Sequence, residues 1–269
     1  MMKITRISVH RKDPSRYHLF IDRGYGEEYA FSVDEDILIQ YQLKKGLELT
    51  EAQLKEIMKA EDEKKVYLEA LRYLSFRMRS LKEVRTHLMK KGYDERRIEA
   101  TIEALIAENY LGDEAFARAY VETKKKTTMK GPNVIREELR EKGVDNTFIE
   151  DALQHFSMEE EKEKIKRWLG KKRQKNEAKR AFIEKLRSQL LRKGFSKEAI
   201  DEAFEEHDFG YDEEKEWEAI CYHGEKVVRK YANTDDEWKF LQKVKQALYR
   251  RGFSIDLIER YIEEREGKR

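Results

Sequence analysis

The sequence predicts a mainly α-helical protein: a tandem array of four three-helix repeats that follows a small β-rich domain. Two observations lead to this fold class. A sixteen-residue segment occurs four times, and amphipathic stretches with helical spacing fill the intervals between its copies. The copies are LMKKGYDERRIEATIE (88–103), LREKGVDNTFIEDALQ (139–154), LLRKGFSKEAIDEAFE (190–205) and LYRRGFSIDLIERYIE (248–263). Self-similarity at a period of about 50 residues is typical of repeat proteins.

Each copy contains a glycine that predicts the end of a helix. The four are Gly92, Gly143, Gly194 and Gly252, spaced 51, 51 and 58 residues apart. An apolar residue lies four positions before each glycine and another directly after it, which is the apolar pair of a Schellman cap. Asp or Ser follows, and both are good N-caps for a further helix. With the amphipathic stretch that precedes each pair, every unit is predicted to contain three helices.

The starts of the middle helices also have sequence signals. Ser80 with Glu83 has capping-box spacing, Thr234 with Glu237 is a second possible box, and Pro132 suits a first helical position. We therefore predict five parts: an N-terminal β-meander plus helix (1–62) and repeats at 63–111, 112–157, 158–210 and 211–269.

The N-terminal part shows the alternation of apolar and polar residues that is typical of strands. A three-stranded antiparallel meander is predicted from Ile4–Val9, Tyr17–Ile21 and Tyr29–Val33. Asp34 is a predicted cap of a short helix, and Thr50 begins a helix that runs toward Lys59. The charged segment 61–65 is predicted to join this domain to the repeats.

The composition excludes several classes of protein. Of the 269 residues, 42% are charged and 39% hydrophobic, a balance that suits a helical array with much surface per residue. The net charge of +2 does not by itself indicate nucleic-acid binding. A single cysteine, Cys221, excludes an internal disulfide framework, and we expect it to pack in a core. With no apolar signal segment or membrane-spanning run, we expect a cytoplasmic monomer with no membrane partner.

The sequence offers little for catalysis or for binding metals and cofactors. The six histidines are scattered, and the glycines lack the spacing of a dinucleotide or phosphate loop. We predict no catalytic residues, no metal and no cofactor, and hence no enzyme. Asp22 and Glu28 flank a hairpin and leave open a metal-dependent nuclease, although acidic residues beside a turn are usually only solvated.

A binding function is predicted from the basic residues. The position seven before each glycine is basic in all four copies: Arg85, Arg136, Arg187 and Lys245. This row could contact phosphates or an acidic partner, or its side-chain stems could simply cover apolar surface. The further candidates for partner or nucleic-acid binding are Arg77, Arg79, Lys90, Lys91, Lys124, Lys125, Lys126, Lys130, Lys171, Lys172 and Arg173.

The helix-turn-helix shape also suggests DNA reading in the major groove. A recognition helix exposes polar side chains at its start. Arg97 fits this requirement, but its equivalents in the other copies are Phe148, Ala199 and Leu257. We therefore do not expect binding to a specific operator sequence.

The first two repeats resemble a known family. The resemblance is densest in SLKEVRTHLMKKGY (80–93), in the junction YLGDEAFA (110–117) and in KGP (130–132). The periodicity of helices does not require the particular residues of the 110–117 junction. On these segments the chain resembles the RecX family, regulators of the bacterial recombinase RecA. At the position of Gly112, members of the family more often have Asn or Asp. This chain also has four predicted repeats, whereas compact members of the family have three.

The resemblance implies a non-enzymatic protein of DNA repair, recombination and the SOS response. Such a protein lies in the groove of the RecA filament on single-stranded DNA and modulates its assembly, ATP turnover and strand exchange. Weak binding to single-stranded DNA, and possibly duplex DNA, is implied as well. The alternative hypothesis is a helical-repeat protein that binds nucleic acid alone, which would favour a larger net positive charge.

Overall fold

The computed structural model describes residues 2–210 and 212–266, so Met1, Tyr211 and the end of the predicted fourth repeat lie outside the described residues. The described residues form an N-terminal sheet followed by helices, and the predicted fold class is confirmed. The N-terminal elements are β1 (Met2–Val9), β2 (Arg16–Asp22), β3 (Glu27–Asp34), α1 (Glu35–Gln40), β4 (Glu48–Leu49) and α2 (Glu51–Leu74).

The sheet has four antiparallel strands in the order β3-β2-β1-β4. The three predicted strands are confirmed, whereas β4 was not predicted because two residues are too few to show an alternating pattern. Its register pairs Leu49 with Met2 and Glu48 with Lys3. Ile4 and Leu19 are buried on one face of the sheet, where Ile57 of α2 joins the same apolar core.

The helix after the sheet is longer than predicted. The helix predicted to run from Thr50 toward Lys59 is present, but the predicted joining segment 61–65 is part of it, because α2 spans 24 residues without a break. Glu61 is only 2% exposed and is held by Arg16 at 2.6 Å and by the Asp34 amide at 2.8 Å. A buried, paired carboxylate therefore stabilises the helix at a point where the sequence alone indicates a solvated linker.

The remaining helices form four successive groups of three, with α2 as the first helix of the first group. They are α3 (Leu81–Lys90), α4 (Glu95–Ala107), α5 (Asp113–Thr127), α6 (Pro132–Glu141), α7 (Asn146–Leu153), α8 (Met158–Leu169), α9 (Lys179–Arg192), α10 (Lys197–Glu205), α11 (Glu213–Tyr231), α12 (Glu237–Tyr249) and α13 (Ile255–Glu266). The predicted boundaries 111/112, 157/158 and 210/211 fall between helices, but 62/63 falls inside α2. The five-part division itself stays a prediction.

The chain divides into two compact units. The first contains the residues up to 116 together with 142–145, and the second contains 117–141 and the residues from 146 onward. In the first unit, Val84, Leu88 and Ile98 lie in the core of the first repeat. In the second unit, separate cores fill the third and fourth repeats, and Cys221 packs against the latter as predicted.

The glycine turns are confirmed. Gly92, Gly143, Gly194 and Gly252 have φ values of 86°, 78°, 83° and 93°. After α3, the Gly92 amide donates to the Met89 carbonyl and the Tyr93 amide donates to the Leu88 carbonyl, at 3.0 and 3.3 Å. This bond pair defines a Schellman cap, and glycine adopts its left-handed conformation without steric cost.

The middle helices begin largely as predicted. Ser80 and Glu83 form a capping box, and Pro132 is the first residue of α6. The possible box at Thr234 is wrong: Asp236 directly precedes α12 and accepts a hydrogen bond from the Lys239 amide at 3.0 Å. A carboxylate at the N-cap satisfies an otherwise free amide and also suits the helix dipole.

Candidate functional site

In each unit, the start of a middle helix lies against the glycine turn of the next repeat. In the first unit, the Ser80 hydroxyl donates to the Lys142 carbonyl at 2.8 Å. In the second, the Gly131 amide donates to the Lys193 carbonyl at 2.7 Å, and the Asn133 amide donates to the Gly194 carbonyl at 3.0 Å. The glycine turns therefore connect one repeat to the next as well as one helix to the next.

Carboxylates reinforce these contacts. Asp113, at the start of α5, accepts a hydrogen bond from the Leu81 amide at 2.9 Å, and burial raises its pKa. Glu216, buried in α11, accepts from the Lys179 amide at 3.3 Å. Both place negative charge at the N-terminal end of a middle helix, where the helix dipole favours it.

Glu83 is held by three hydrogen-bond donors in the first unit. It accepts from Arg77 at 2.9 Å, from Lys142 at 2.9 Å and from the Ser80 amide at 3.2 Å. Burial alone would raise the pKa of Glu83, but these three donors outweigh burial and lower it to about 2. The ionised form therefore stabilises both the capping box and the contact with the Lys142 turn.

Replacing Glu83 by Gln isolates the contribution of this charge, because Gln also completes a capping box. The pKa lies below its ordinary value, so the stabilisation is present above pH 4.5 and is lost as the pH falls toward 2. At neutral pH, we expect E83Q to lower the free energy of unfolding by about 1.5–3 kcal/mol, the range for hydrogen bonds to charged groups. Urea unfolding at several pH values tests this: a difference that stays constant down to pH 2 would contradict it.

The four repeated basic residues make the same contact in each repeat. Arg85 pairs with Glu99, Arg136 with Glu150, Arg187 with Asp201 and Lys245 with Glu259, always fourteen residues apart. Each pair joins the second helix of a repeat to the third. The geometry thus gives these side chains a structural role within their own repeat, and their predicted contact with a partner stays a prediction.

Five of the eleven other predicted basic residues form ion pairs with acidic residues as well. Arg77 pairs with Glu83, Lys91 with Glu69, Lys125 with Glu122 and Glu160, Lys126 with Glu122, and Lys130 with Glu138. Lys124 lies 5.0 Å from the Tyr120 ring centroid, Arg79 stacks on Tyr73, and Lys90 is exposed. Residues that are already paired offer less charge to a partner than their number suggests.

The predicted residues Lys171, Lys172 and Arg173 lie together in the segment between α8 and α9. Lys172 packs 4.2 Å from the centroid of the Trp168 ring, and Arg173 donates to the Gly170 carbonyl at 2.9 Å. The exposed residues Lys175 and Arg180 continue this group. Residues 170–180, which we name the basic segment, contain six cationic residues and one acidic residue.

Asp22 and Glu28, the two carboxylates that would form a metal site, interact with neighbouring residues. Asp22 accepts hydrogen bonds from the Gly24 and Gly26 amides, and Glu28 pairs with Arg23 at 2.7 Å. The described residues contain no group of three or more His, Cys, Asp or Glu side chains placed to hold a metal ion. None of the described helices is both long enough and apolar enough to cross a membrane.

These features define the class of the protein: it is a helical-repeat scaffold whose repeats contact one another through glycine turns. The chain belongs to the RecX family of regulatory proteins. The profile of the regulatory protein RecX N-terminal domain matches residues 2–50, and those of the first, second and third RecX three-helix domains match 67–105, 113–153 and 213–262. The third family domain therefore corresponds to the fourth repeat, and residues 158–210 lie between the second and third matches.

Similar proteins span almost the whole chain. The "Regulatory protein RecX" of Halalkalibacterium halodurans is 46% identical over 97% of this chain and 99% of its own length. That of Bacillus subtilis is 42% identical over 98% of both chains. A crystal structure of regulatory protein RecX has a TM-score of 0.55 at 29% identity and covers 96% of this chain and 98% of its own. The crystal structure of RecX from Lactobacillus salivarius has a TM-score of 0.52 at 36% identity, covering 55% of this chain and 97% of its own.

Proposed function

We propose that this protein regulates the RecA recombinase by lying in the groove of the RecA filament on single-stranded DNA. It modulates filament assembly, ATP turnover and strand exchange, without catalysis of its own, in DNA repair, recombination and the SOS response. It acts as a cytoplasmic monomer. The observation that carries the proposal is membership of a regulatory family over nearly the full chain.

The repeat geometry supports this proposal. Backbone hydrogen bonds such as Gly131 to Lys193 connect neighbouring repeats within a unit, where a flexible linker would leave them independent. A scaffold of this kind can contact successive subunits of a polymer, and several modest contacts then act together.

ATP hydrolysis by RecA on single-stranded DNA tests the proposal directly. Adding the protein at a substoichiometric ratio to RecA is expected to change both the hydrolysis rate and the filament length. If both stay unchanged over a range of protein concentrations, the proposed function is wrong.

The basic segment supports a contact with the DNA backbone. Lys171, Lys175 and Arg180 are exposed, and a cluster of cations attracts phosphates whatever the base sequence. The same observation favours the second candidate function, a protein that binds nucleic acid alone. A titration with single-stranded DNA in the absence of RecA distinguishes the two: tight binding without any effect on RecA supports the second.

Replacing Lys171, Lys172 and Arg173 together by Gln is expected to weaken binding to single-stranded DNA. Each lost phosphate contact should reduce the magnitude of the slope of log K against log salt by about 0.7. For the triple variant the magnitude of this slope should therefore be smaller by about 2. The control is Lys226, Arg229 and Lys230 replaced by Gln, which removes the same charge from α11. Equal slopes for the two variants would exclude the basic segment as the DNA contact.

A further inference from the structure

An open cleft in the second unit lies between the basic segment and α11. Its volume is about 760 Å³, which is within the range of pockets that bind small molecules and cofactors. The side chains that line it include Lys175 and Asn176 of the basic segment, Lys185 of α9, and Lys215, Tyr222 and His223 of α11. The cleft therefore combines cations with an aromatic ring.

The surroundings of the cleft have an excess of positive charge. The basic segment and the other lining residues together contain eight lysines and arginines but only two acidic residues, Glu177 and Glu218, whereas the whole chain has a net charge of +2. Two of the cations are partly neutralised, since Lys185 pairs with Glu177 at 3.1 Å and Lys215 pairs with Asp212. The remaining excess of positive charge attracts an anion such as phosphate.

Tyr222 supplies an aromatic ring to this cleft. Its side chain is 47% exposed, although tyrosine is large and mostly apolar. Lys226 lies over the ring at 3.9 Å from the centroid and donates to the hydroxyl at 2.6 Å, and the His223 ring packs against Tyr222 edge to face at 5.3 Å. The ring thus has a fixed orientation and still offers exposed apolar surface.

The basic segment is held against α11 by hydrogen bonds. His223 donates from Nε2 to the Asn176 carbonyl at 2.9 Å, and Gln174 donates from its amide to the Glu177 carbonyl at 2.7 Å. A site that is ordered before binding loses little conformational entropy when its ligand arrives.

We infer that this cleft binds a nucleotide of single-stranded DNA, with the base stacked on Tyr222 and the adjoining phosphates beside Lys175 and the rest of the basic segment. The inference rests on the proposed function, in which this protein acts on single-stranded DNA. It names the ring and the cation that make the contact.

The chemistry of the cleft favours a single strand over duplex DNA and over an acidic polypeptide. Proteins that follow a single strand combine a basic groove with aromatic rings on which bases stack. The bases of a duplex are already stacked on one another, so they do not reach Tyr222. An acidic polypeptide would pair with the lysines but would gain little from the exposed ring.

Fluorescence anisotropy of a labelled oligothymidine, titrated with the full chain in the absence of RecA, tests this inference. Tyr222→Leu is expected to weaken binding about 5- to 150-fold, the loss of one base–aromatic stack, and to leave the slope of log K against log salt unchanged. Lys175→Gln is expected to reduce the magnitude of that slope by about 0.7, because one phosphate contact is lost. The control is Tyr249→Leu, which removes a ring of α12 that is 50% exposed, and it should bind like the wild type.

Two further comparisons separate stacking from a loss of structure. An abasic oligonucleotide of the same length has the same phosphates but no bases, so the wild type and Y222L should bind it equally. Tyr222→Phe keeps the ring and should bind oligothymidine like the wild type. Circular dichroism should show the same helical content in all variants, since the Tyr222 side chain is exposed and leucine favours helices.

The outcomes distinguish the inference from the proposed function. Equal binding of oligothymidine by the wild type and Y222L would overturn the inference but not the proposed function, provided that the protein changes ATP hydrolysis by RecA. Weaker binding by Y222L with no effect of the wild type on RecA would contradict the proposed function alone. If poly-glutamate displaced the oligonucleotide from the wild type and from Y222L equally well, the cleft would be a surface for acidic polypeptides and the inference would be wrong.

Discussion

Replacing Gly131 by alanine will separate the second repeat from the turn of the third. A Cβ atom at this position would lie 2.3 Å from the Phe195 amide nitrogen and 2.4 Å from the Gly194 carbonyl group. These are backbone atoms, so no side-chain rotation can relieve the overlap. The backbone must move, and the hydrogen bonds from Gly131 to Lys193 and from Asn133 to Gly194 are lost.

The expected loss in the free energy of unfolding is about 3–5 kcal/mol, from two hydrogen bonds of ~1 kcal/mol each and an overpacking cost of ~1–3 kcal/mol. Gly112→Ala is the matched control, since Gly112 also lacks a positive φ but has no atom within 4 Å of an added Cβ. Urea unfolding measures both variants. Equal midpoints for G131A and G112A would contradict the backbone contact between these repeats.

Replacing Gly224 by alanine will disrupt the fourth repeat, although alanine favours helices more than glycine by about 1 kcal/mol. Gly224 lies within α11, and a Cβ atom there would be 2.2 Å from Cζ of Tyr261 in α13. Tyr261 is buried in the core of this repeat, so its ring has little room to move. We expect the overpacking cost of about 1–3 kcal/mol to outweigh the gain in helix propensity, so that the free energy of unfolding falls by about 1–2 kcal/mol.

A second substitution identifies the cause of this loss. In the G224A background, Tyr261→Leu removes the ring atoms that an added Cβ would meet. If the contact is responsible, G224A/Y261L will be more stable than the sum of the two single changes predicts. Strict additivity would show that Gly224 is needed for a reason other than the Tyr261 ring.

The repeats were predictable because their signals are local. A glycine such as Gly92, its flanking apolar pair and the Asp94 cap lie within seven residues, and backbone sterics determine the structure that they form. The same reasoning identified the Ser80 box and the proline at the start of α6. Residues 1–50 were partly predictable, because alternation marks strands of seven or eight residues but not the two residues of β4.

The structural features that the sequence did not predict depend on contacts between residues far apart in the chain. α2 passes through segment 61–65 because the buried Glu61 pairs with Arg16 and accepts a hydrogen bond from the Asp34 amide, and no local pattern indicates these contacts. The role of the repeated basic residues was likewise open, since Arg136 and its partner Glu150 belong to different helices. In the candidate site, the sequence indicated Arg79 as a basic residue, but only the structure shows its stack on Tyr73.

Electron microscopy of RecA filaments on single-stranded DNA, with and without this protein, tests the central claim most directly. The claim is that the repeats act as a scaffold bound along the filament. It predicts added density in the helical groove, each molecule contacting more than one RecA protomer. Filaments with an empty groove at protein concentrations above that of RecA, or density only on DNA free of RecA, would contradict it.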